Sequence, residues 1–166
     1  MKDKALLSDI MFLLVKIAIF VAVVFVMFTY LFGIYRVVGD EMSPSFRDGD
    51  LAVYYRMQED YRSSDTVVVE VDDTLSVRRI VAMPGDTVDI TEDGLMINGY
   101  FQQESNIYTQ TLPYKEGITF PITLGKDEYF VLGDDRTKAA DSRMYGAVNK
   151  SAIKGNVFAM IRRRGF

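Results

Sequence analysis

The sequence contains no cysteine and no histidine among its 166 residues. Without cysteine, the chain can form neither a disulfide scaffold nor a thiolate zinc site. Without histidine, it can form no Ser-His-Asp triad, no Cys-His dyad and no His-ligated metal site. We therefore expect no metal and no cofactor. A hydrolase built from this sequence would need a lysine or a carboxylate as its base.

Basic residues are fewer than acidic ones, with 19 Lys and Arg against 23 Asp and Glu and a net charge of −4. The acidic excess falls in the polar part of the chain, after an apolar N-terminal segment. Nucleic-acid-binding domains usually carry basic patches that neutralise phosphate groups. We therefore expect no nucleic-acid partner.

Charge is missing altogether from residues 17–34, which read IAIFVAVVFVMFTYLFGI. At a rise of about 1.5 Å per residue, residues 11–34 are long enough to cross a hydrocarbon layer of roughly 30 Å. A cleavable secretory signal has a shorter apolar region and a small-residue cleavage site, and a core helix that is apolar on every face needs a larger partner domain. We predict a transmembrane helix at residues 10–35, between a cytoplasmic N-terminus at 1–9 and an extracytoplasmic β domain at 36–166.

The orientation follows from the flanking charges. Lys2 and Lys4 precede the apolar run and Lys16 can extend toward the same side, whereas Arg36 alone follows it closely. Positive charge favours the cytoplasmic side of a membrane. We predict a single-pass protein of the plasma membrane with its N-terminus inside.

The polar part of the chain predicts a mainly β fold. Short runs rich in β-branched and aromatic residues are bounded by Gly, Asp, Pro and Ser, as strands joined by turns are. We predict strands at residues 50–55, 66–71, 77–82, 87–90, 128–132 and 156–161. Asp93-Gly94 and Asn98-Gly99 bracket a short strand and predict a compact hairpin. Residues 101–126 show no clear periodicity, and no element is assigned there.

Three segments carry the motifs: GDEMSPSFRDGD at residues 39–50, RRIVAMPGD at 78–86 and GDDRTKAADSRMYG at 133–146. In this order they resemble the G-x-S-M-x-P-T-L-x-x-G-D, K-R-V-I-G-L-P-G-D and G-D-N-R-x-x-S-x-D-S-R-x-x-G motifs of type I signal peptidases. Each segment alone is a weak signal, because such pairs occur at many turns. The ordered set is specific, and with the membrane helix the resemblance covers essentially the whole chain.

The resemblance implies a coiled, mainly antiparallel β domain in which a serine nucleophile and a lysine base cut signal peptides outside the membrane. At the nucleophile position this sequence has Glu41, and at the base position it has Arg78. Ala139 stands where the family usually has a serine that hydrogen-bonds the lysine. Arginine stays protonated at any working pH and cannot act as a base. We predict that Glu41 and Arg78 form a salt bridge within about 4 Å, and that the chain is not an enzyme.

Other motif residues have structural or binding roles in this interpretation. We expect the retained turns and the groove floor to be formed by Gly39, Asp50, Arg79, Gly85, Asp86, Gly133, Asp134, Asp141 and Arg143. The acidic cluster of Asp134, Asp135 and Asp141 is compatible with a metal site or an aspartic-protease pair. We expect it instead to belong to a retained turn, in which Asp141 pairs with Arg136 or Arg143. By resemblance, a groove for an extended peptide is expected to be lined by Met42, Pro44, Ile80, Val81 and Met83, although some of these side chains fit a core role equally well.

The leading hypothesis is therefore a catalytically inactive, signal-peptidase-like membrane protein that binds exported proteins. It resembles the signal-peptidase-like proteins that Gram-positive bacteria use in pilus assembly, which implies pilin subunits and a sortase-type transpeptidase as partners. The alternative is an active type I signal peptidase with a displaced dyad. Ser43 or Ser45 would then be the nucleophile, since residues two apart in an extended segment face the same way, and Lys138 the base. A third hypothesis is a structural subunit that holds another membrane enzyme.

Overall fold

The computed structural model describes residues 2–104 and 107–162, with side chains from residue 7 onward. A long helix, α1 (Lys2–Tyr30), precedes a β-rich domain. The domain's strands are β1 (Phe32–Arg36), β2 (Leu51–Tyr55), β3 (Thr66–Val71), β4 (Thr74–Ala82), β5 (Thr87–Thr91), β6 (Gly94–Ile97), β7 (Tyr100–Phe101), β8 (Ile122–Thr123), β9 (Glu128–Leu132), β10 (Val148–Asn149) and β11 (Ile153–Ile161). A short helix, α2 (Ser142–Tyr145), follows β9, and one helical turn (Lys150–Ala152) precedes β11. The predicted mainly β class is confirmed.

Within the described residues, one segment is long and apolar enough to cross a membrane: Leu7–Tyr30, with a mean hydropathy of 3.0 and none of its most apolar window buried. The helix ends at Tyr30, not at residue 35 as predicted. The reason is that the next residues pair as β1 with β2, antiparallel, with Phe32 opposite Tyr55. The apolar run of the sequence therefore contains both a helix and the first strand of the domain.

Aromatic contacts connect the helix to the sheet. The ring of Phe28 lies 6.0 Å from that of Phe32 on β1, and the ring of Phe32 lies 5.5 Å from that of Phe158 on β11. Leu31 is the single residue between α1 and β1, and its carbonyl accepts a hydrogen bond from the backbone N–H of Arg56 at 2.8 Å. The domain is thus attached to the helix without an intervening flexible linker.

The strands form two antiparallel sheets. The larger has the order β1-β2-β11-β3-β4-β9-β10, and the smaller has the order β7-β6-β5-β8. In β3, Val67, Val68 and Val69 are all fully buried, because Val67 and Val69 pack into one core cluster while Val68 packs into another. A strand covered on both faces reads as a continuous apolar run, and each such valine stabilises the fold by roughly 1.5–3 kcal/mol.

The strand β4 is paired on both sides over only part of its length. Residues 74–79 of β4 pair with β3, with Val77 opposite Val68. Pairing with β9 begins at Arg79 and extends to Ala82. Among the described residues, the β9-facing edge of residues 74–78 therefore has no strand neighbour.

Candidate functional site

A cleft of about 570 Å³ lies beside this unpaired edge of β4. One wall consists of residues of β1 and the following segment, including Tyr35, Val37 and Met42. The other wall consists of residues 71–78 at the β3–β4 turn and in the first half of β4, and Ala140 and Tyr145 complete the lining. The cleft thus separates the first strand of the sheet from the unpaired part of β4.

Glu41 and Arg78 meet at this cleft. A guanidinium Nη2 of Arg78 donates to Glu41 Oε2 at 2.5 Å, so the predicted salt bridge is confirmed. The side chain of Arg78 is 5% exposed and that of Glu41 is 32% exposed. The other Glu41 oxygen, Oε1, accepts a hydrogen bond from the backbone N–H of Ala140 at 3.1 Å.

The remaining donors of Arg78 hold backbone carbonyls. Its Nε and Nη2 donate to the carbonyl of Ala140 at 3.1 and 2.7 Å, and its Nη1 donates to the carbonyl of Val77 at 2.6 Å. Every nitrogen of the guanidinium therefore has a partner. Arg78 thus ties Glu41, Ala140 and Val77 together at the cleft.

Ala139 occupies an apolar environment. Its side chain is fully buried, and a Cβ built on Gly133 would lie 2.2 Å from the Cβ of Ala139 and 2.7 Å from the carbonyl oxygen of Glu41. Tyr114 Oη donates to the carbonyl of Ala139 at 2.8 Å. The position that the sequence resemblance assigned to a supporting serine is thus filled by close packing against a glycine.

The buried acidic motif residues are paired with arginines. Asp134 accepts two hydrogen bonds from Arg79, at 2.8 and 2.6 Å, in a bidentate arrangement. Asp141 accepts two from Arg143, at 2.8 and 2.7 Å, and also one from the backbone N–H of Gly133 at 3.1 Å. Of the two partners expected for Asp141, the structure selects Arg143. These ion pairs connect β4, β9 and α2 beneath the cleft.

Other motif residues hold the turns around it. Asp86 accepts from the backbone N–H of Met83 at 2.8 Å, and Gly85 has a φ of +88°, which favours glycine. Asp50 accepts from the backbone N–H of Arg47 at 3.0 Å and pairs with Arg162 at 3.0 Å. Burial alone would raise the pKa of Asp50, but these hydrogen bonds and charges lower it overall.

The residues expected to line the groove are found in different places. Met42 borders the cleft and is 1% exposed. Ile80 is fully buried in one core cluster and Val81 belongs to a second, and both also border a separate polar pocket of about 180 Å³. Met83 packs against the same cluster as Ile80. Pro44 is exposed and does not line the cleft.

The pairing of β4 explains this difference. Arg79, Ile80 and Ala82 pair with β9, so this backbone edge is already occupied. The side chains of Ile80, Val81 and Ala82 belong to the core. The free part of the strand lies before Arg79. The peptide-sized cleft is therefore lined by residues 71–78, which precede the second motif or lie at its start.

The residues of the displaced dyad have other partners. Ser45 Oγ donates to Asp134 Oδ2 at 2.5 Å, and Lys138 Nζ pairs with Asp135 at 3.1 Å with 64% of its side chain exposed. With this exposure, Lys138 lacks in this arrangement the desolvation that a lysine base needs. For Ser43, the structure gives a backbone hydrogen bond to the carbonyl of Asp40 at 2.9 Å.

Sequence reasoning missed Tyr35 and Tyr145. Tyr35 was counted in the membrane span, although the alternation of burial along β1 points its side chain into the cleft. Tyr145 has a buried hydroxyl without a hydrogen-bond partner among the described residues, and burial raises its pKa to about 12. The fold and site together define a class: a β domain on an apolar helix, with a cleft along a half-paired strand.

Comparison with known proteins identifies the family. A family model described as signal peptidase, peptidase S26, matches residues 10–161, and the chain belongs to this family. Signal peptidase I P from Bacillus subtilis subsp. natto is 32% identical, covering 93% of this chain and 90% of its own length. Signal peptidase I S from Bacillus subtilis strain 168 is 33% identical, with 83% and 82% covered.

Two further matches are more distant in sequence. Signal peptidase IB from Staphylococcus aureus strain COL is 26% identical, with 90% of this chain and 88% of the relative covered. A solved signal peptidase I from Enterococcus faecalis is 24% identical, with a TM-score of 0.48, and the match covers 60% of this chain and 97% of that structure.

These names contradict one prediction from the sequence. We expected that the chain is not an enzyme, but relatives that share about a third of its residues over most of both lengths are named as signal peptidases. That expectation is therefore wrong, because the family to which the chain belongs is one of named enzymes. The loss of Ser and Lys at two motif positions was too narrow a basis for it.

Proposed function

We propose that the protein acts on exported proteins as a membrane-anchored signal peptidase, and that an extended segment of the substrate pairs with the unpaired edge of β4. The observation that carries this proposal is the half-paired state of β4. Its residues 74–78 border the cleft and have no second strand neighbour among residues 2–104 and 107–162. An exposed strand edge offers backbone donors and acceptors that an extended peptide takes up as an added strand.

The walls of the cleft suit the side chains of such a segment. Val37, Met42, Leu75 and Val77 border it, and they provide apolar contacts on both sides of a strand placed between them. In this mode of recognition, main-chain hydrogen bonds supply affinity and side-chain pockets supply specificity. We therefore expect small apolar side chains to be preferred at alternate positions of the bound segment.

Cleavage of the bound segment is the activity that the names of the relatives favour. Glu41 and Arg78 hold each other and the backbone of Ala140 at the end of the cleft, so in this proposal they position the cleft. The nucleophile would then be a nearby hydroxyl, and its proton would pass to Lys138 after that side chain leaves Asp135 and is desolvated by the bound segment. Ser43, two residues from Glu41, is the hydroxyl to test first, because Ser45 already donates to Asp134.

A cleavage assay tests this proposal. Full-length protein in detergent is incubated with a preprotein that carries a signal peptide, and the products are identified by mass spectrometry. We expect cleavage by the wild type that is lost in Ser43→Ala and kept in Ser45→Ala. Loss in Glu41→Ala with retention in Ser43→Ala would assign the chemistry to Glu41. No cleavage by the wild type would contradict the peptidase activity.

A photo-crosslinking experiment tests the binding mode separately. Benzoylphenylalanine replaces Thr74, an exposed residue at the rim of the cleft, or Tyr100, an equally exposed residue on the smaller sheet and outside the cleft. We expect position 74, and not position 100, to capture the signal-peptide segment. Equal capture at both positions, or capture at 100 alone, would contradict binding along β4.

A narrower proposal concerns the identity of the exported protein. The chain resembles the signal-peptidase-like proteins of Gram-positive pilus assembly, so pilin subunits, handled together with a sortase-type transpeptidase, are candidate substrates. The Glu41–Arg78 ion pair is the structural feature that supports this choice. Crosslinking from position 74 in intact cells, followed by peptide sequencing, would identify the captured protein. Capture of general preproteins without pilins would contradict the narrower proposal.

A further inference from the structure

One hydrogen bond spans the cleft between its two walls. Tyr35 Oη, on β1, donates to the carbonyl oxygen of Leu75, on β4, at 2.7 Å. The two residues are 40 positions apart in the chain, and both line the cleft. Tyr35 is half-buried, and burial raises its pKa, so its hydroxyl keeps the proton that it donates.

The acceptor lies on the part of β4 that has no second neighbour. In an antiparallel pair, the N–H and C=O of one residue point to the same side, and successive residues point to opposite sides. The carbonyls of Leu75 and Val77 accept from Tyr35 Oη and Arg78 Nη1. These two carbonyls therefore face the cleft, where a bound strand would need them.

We propose that Tyr35 is a strap across the cleft, whose hydroxyl occupies the Leu75 carbonyl and must release it before an extended peptide pairs with β4. This inference rests on the proposed binding of peptide along that strand. Arg78 holds the Val77 carbonyl in the same way, but it is 5% exposed and tied to Glu41 and Ala140. For the Tyr35 hydroxyl, the described part of the chain shows a single hydrogen bond, to the Leu75 carbonyl. Breaking that bond frees this carbonyl for the peptide.

The position of the strap is fixed by the pairing of β1 with β2. Tyr35 lies on β1, which follows α1 after one residue, and its neighbours in β1 pair with β2 along the whole strand. The backbone of Tyr35 is therefore held in place. Release requires rotation of one side chain and no movement of the strand.

The substitution Tyr35→Phe removes the strap and keeps the ring that packs beside Leu75. In wild type, the peptide must displace the Tyr35 hydroxyl from the Leu75 carbonyl, and a neutral hydrogen bond has a modest net free energy. Without that hydroxyl, we expect the peptide to bind about three- to tenfold more tightly. The matched control is Tyr55→Phe. Tyr55 lies on β2 and is half-buried like Tyr35, and its ring packs at a tilt against that of Phe32, outside the cleft lining.

The probe is a fluorescein-labelled synthetic signal peptide, titrated against the full-length protein in detergent and followed by anisotropy. Tighter binding by Tyr35→Phe than by wild type and Tyr55→Phe supports the strap. Unchanged binding overturns it, and weaker binding also overturns it by making the hydroxyl a peptide contact.

Hydrogen exchange without peptide gives a second readout. Faster exchange of amides in residues 74–78 is expected in Tyr35→Phe and not in Tyr55→Phe, and unchanged exchange overturns the strap. If none of the three proteins binds the peptide, the proposed function fails, while the exchange result still decides whether Tyr35 restrains β4.

Discussion

The carboxylate of Glu41 contacts the guanidinium of Arg78 at 2.5 Å, at the point where the unpaired half of β4 meets its paired half. Arg78 is almost fully buried, and Glu41 is about one-third exposed. The pair also holds both backbone groups of Ala140. One ion pair thus connects the first and third sequence motifs through a residue of the second.

We expect Arg78→Met to lower the free energy of unfolding by about 2–4 kcal/mol, because it leaves Glu41 unpaired and the carbonyls of Ala140 and Val77 without this donor. Glu41→Gln should cost less, about 1 kcal/mol, since the amide oxygen still accepts from Ala140 and the site is partly solvated. Urea unfolding of the full chain in detergent measures both. A larger cost for Glu41→Gln than for Arg78→Met would contradict this account.

A second prediction concerns the close packing around Gly133. A Cβ there meets the Cβ of Ala139 and the backbone oxygen of Glu41 at distances shorter than any relaxed contact. We expect Gly133→Ala to destabilise the domain by about 1–3 kcal/mol. Gly125→Ala is the control, because a Cβ there meets only the flexible end of Glu128 at 3.1 Å. Equal melting temperatures for the two variants would show that the Ala139 contact is easily relieved.

The buried hydroxyl of Tyr145 leads to a prediction about the stability of the domain at alkaline pH. Burial raises its pKa to about 12 in the folded state, above the ordinary 10.0. Between these values the unfolded chain loses the proton first, so it binds fewer protons than the folded chain and stability falls as pH rises. Tyr145→Phe should lose less stability than wild type between pH 10 and 12. Tyr100→Phe, at an exposed site, should behave like wild type. Parallel pH curves for all three proteins would contradict the buried state of the Tyr145 hydroxyl.

The orientation of the chain is a further prediction. More lysine precedes the apolar helix than arginine closely follows it, which favours a cytoplasmic N-terminus. Protease added to intact protoplasts should digest the domain after Arg36 and spare an N-terminal epitope. Protection of the domain in intact protoplasts, with digestion after lysis, would reverse the orientation.

The sequence by itself determined the apolar helix, the mainly β class and the family. These properties depend on local composition and on motifs whose order is visible in one dimension. The contact between Glu41 and Arg78 was also predictable, since the two residues occupy motif positions that are neighbours in this family. The pairing of Asp141 with an arginine followed from the same reasoning, but the choice of Arg143 over Arg136 did not. The pairing of Asp134 with Arg79 was not predicted.

Only the tertiary structure decided which half of β4 faces the cleft. Pairing with β9 begins at Arg79, so Ile80, Val81 and Met83 belong to the core and residues 74–78 remain available. Strand register depends on partners far along the chain, and no local pattern records it. The same holds for Tyr35, which the apolar run assigned to the membrane. Its hydroxyl reaches Leu75 because β1 and β4 lie on opposite sides of one cleft.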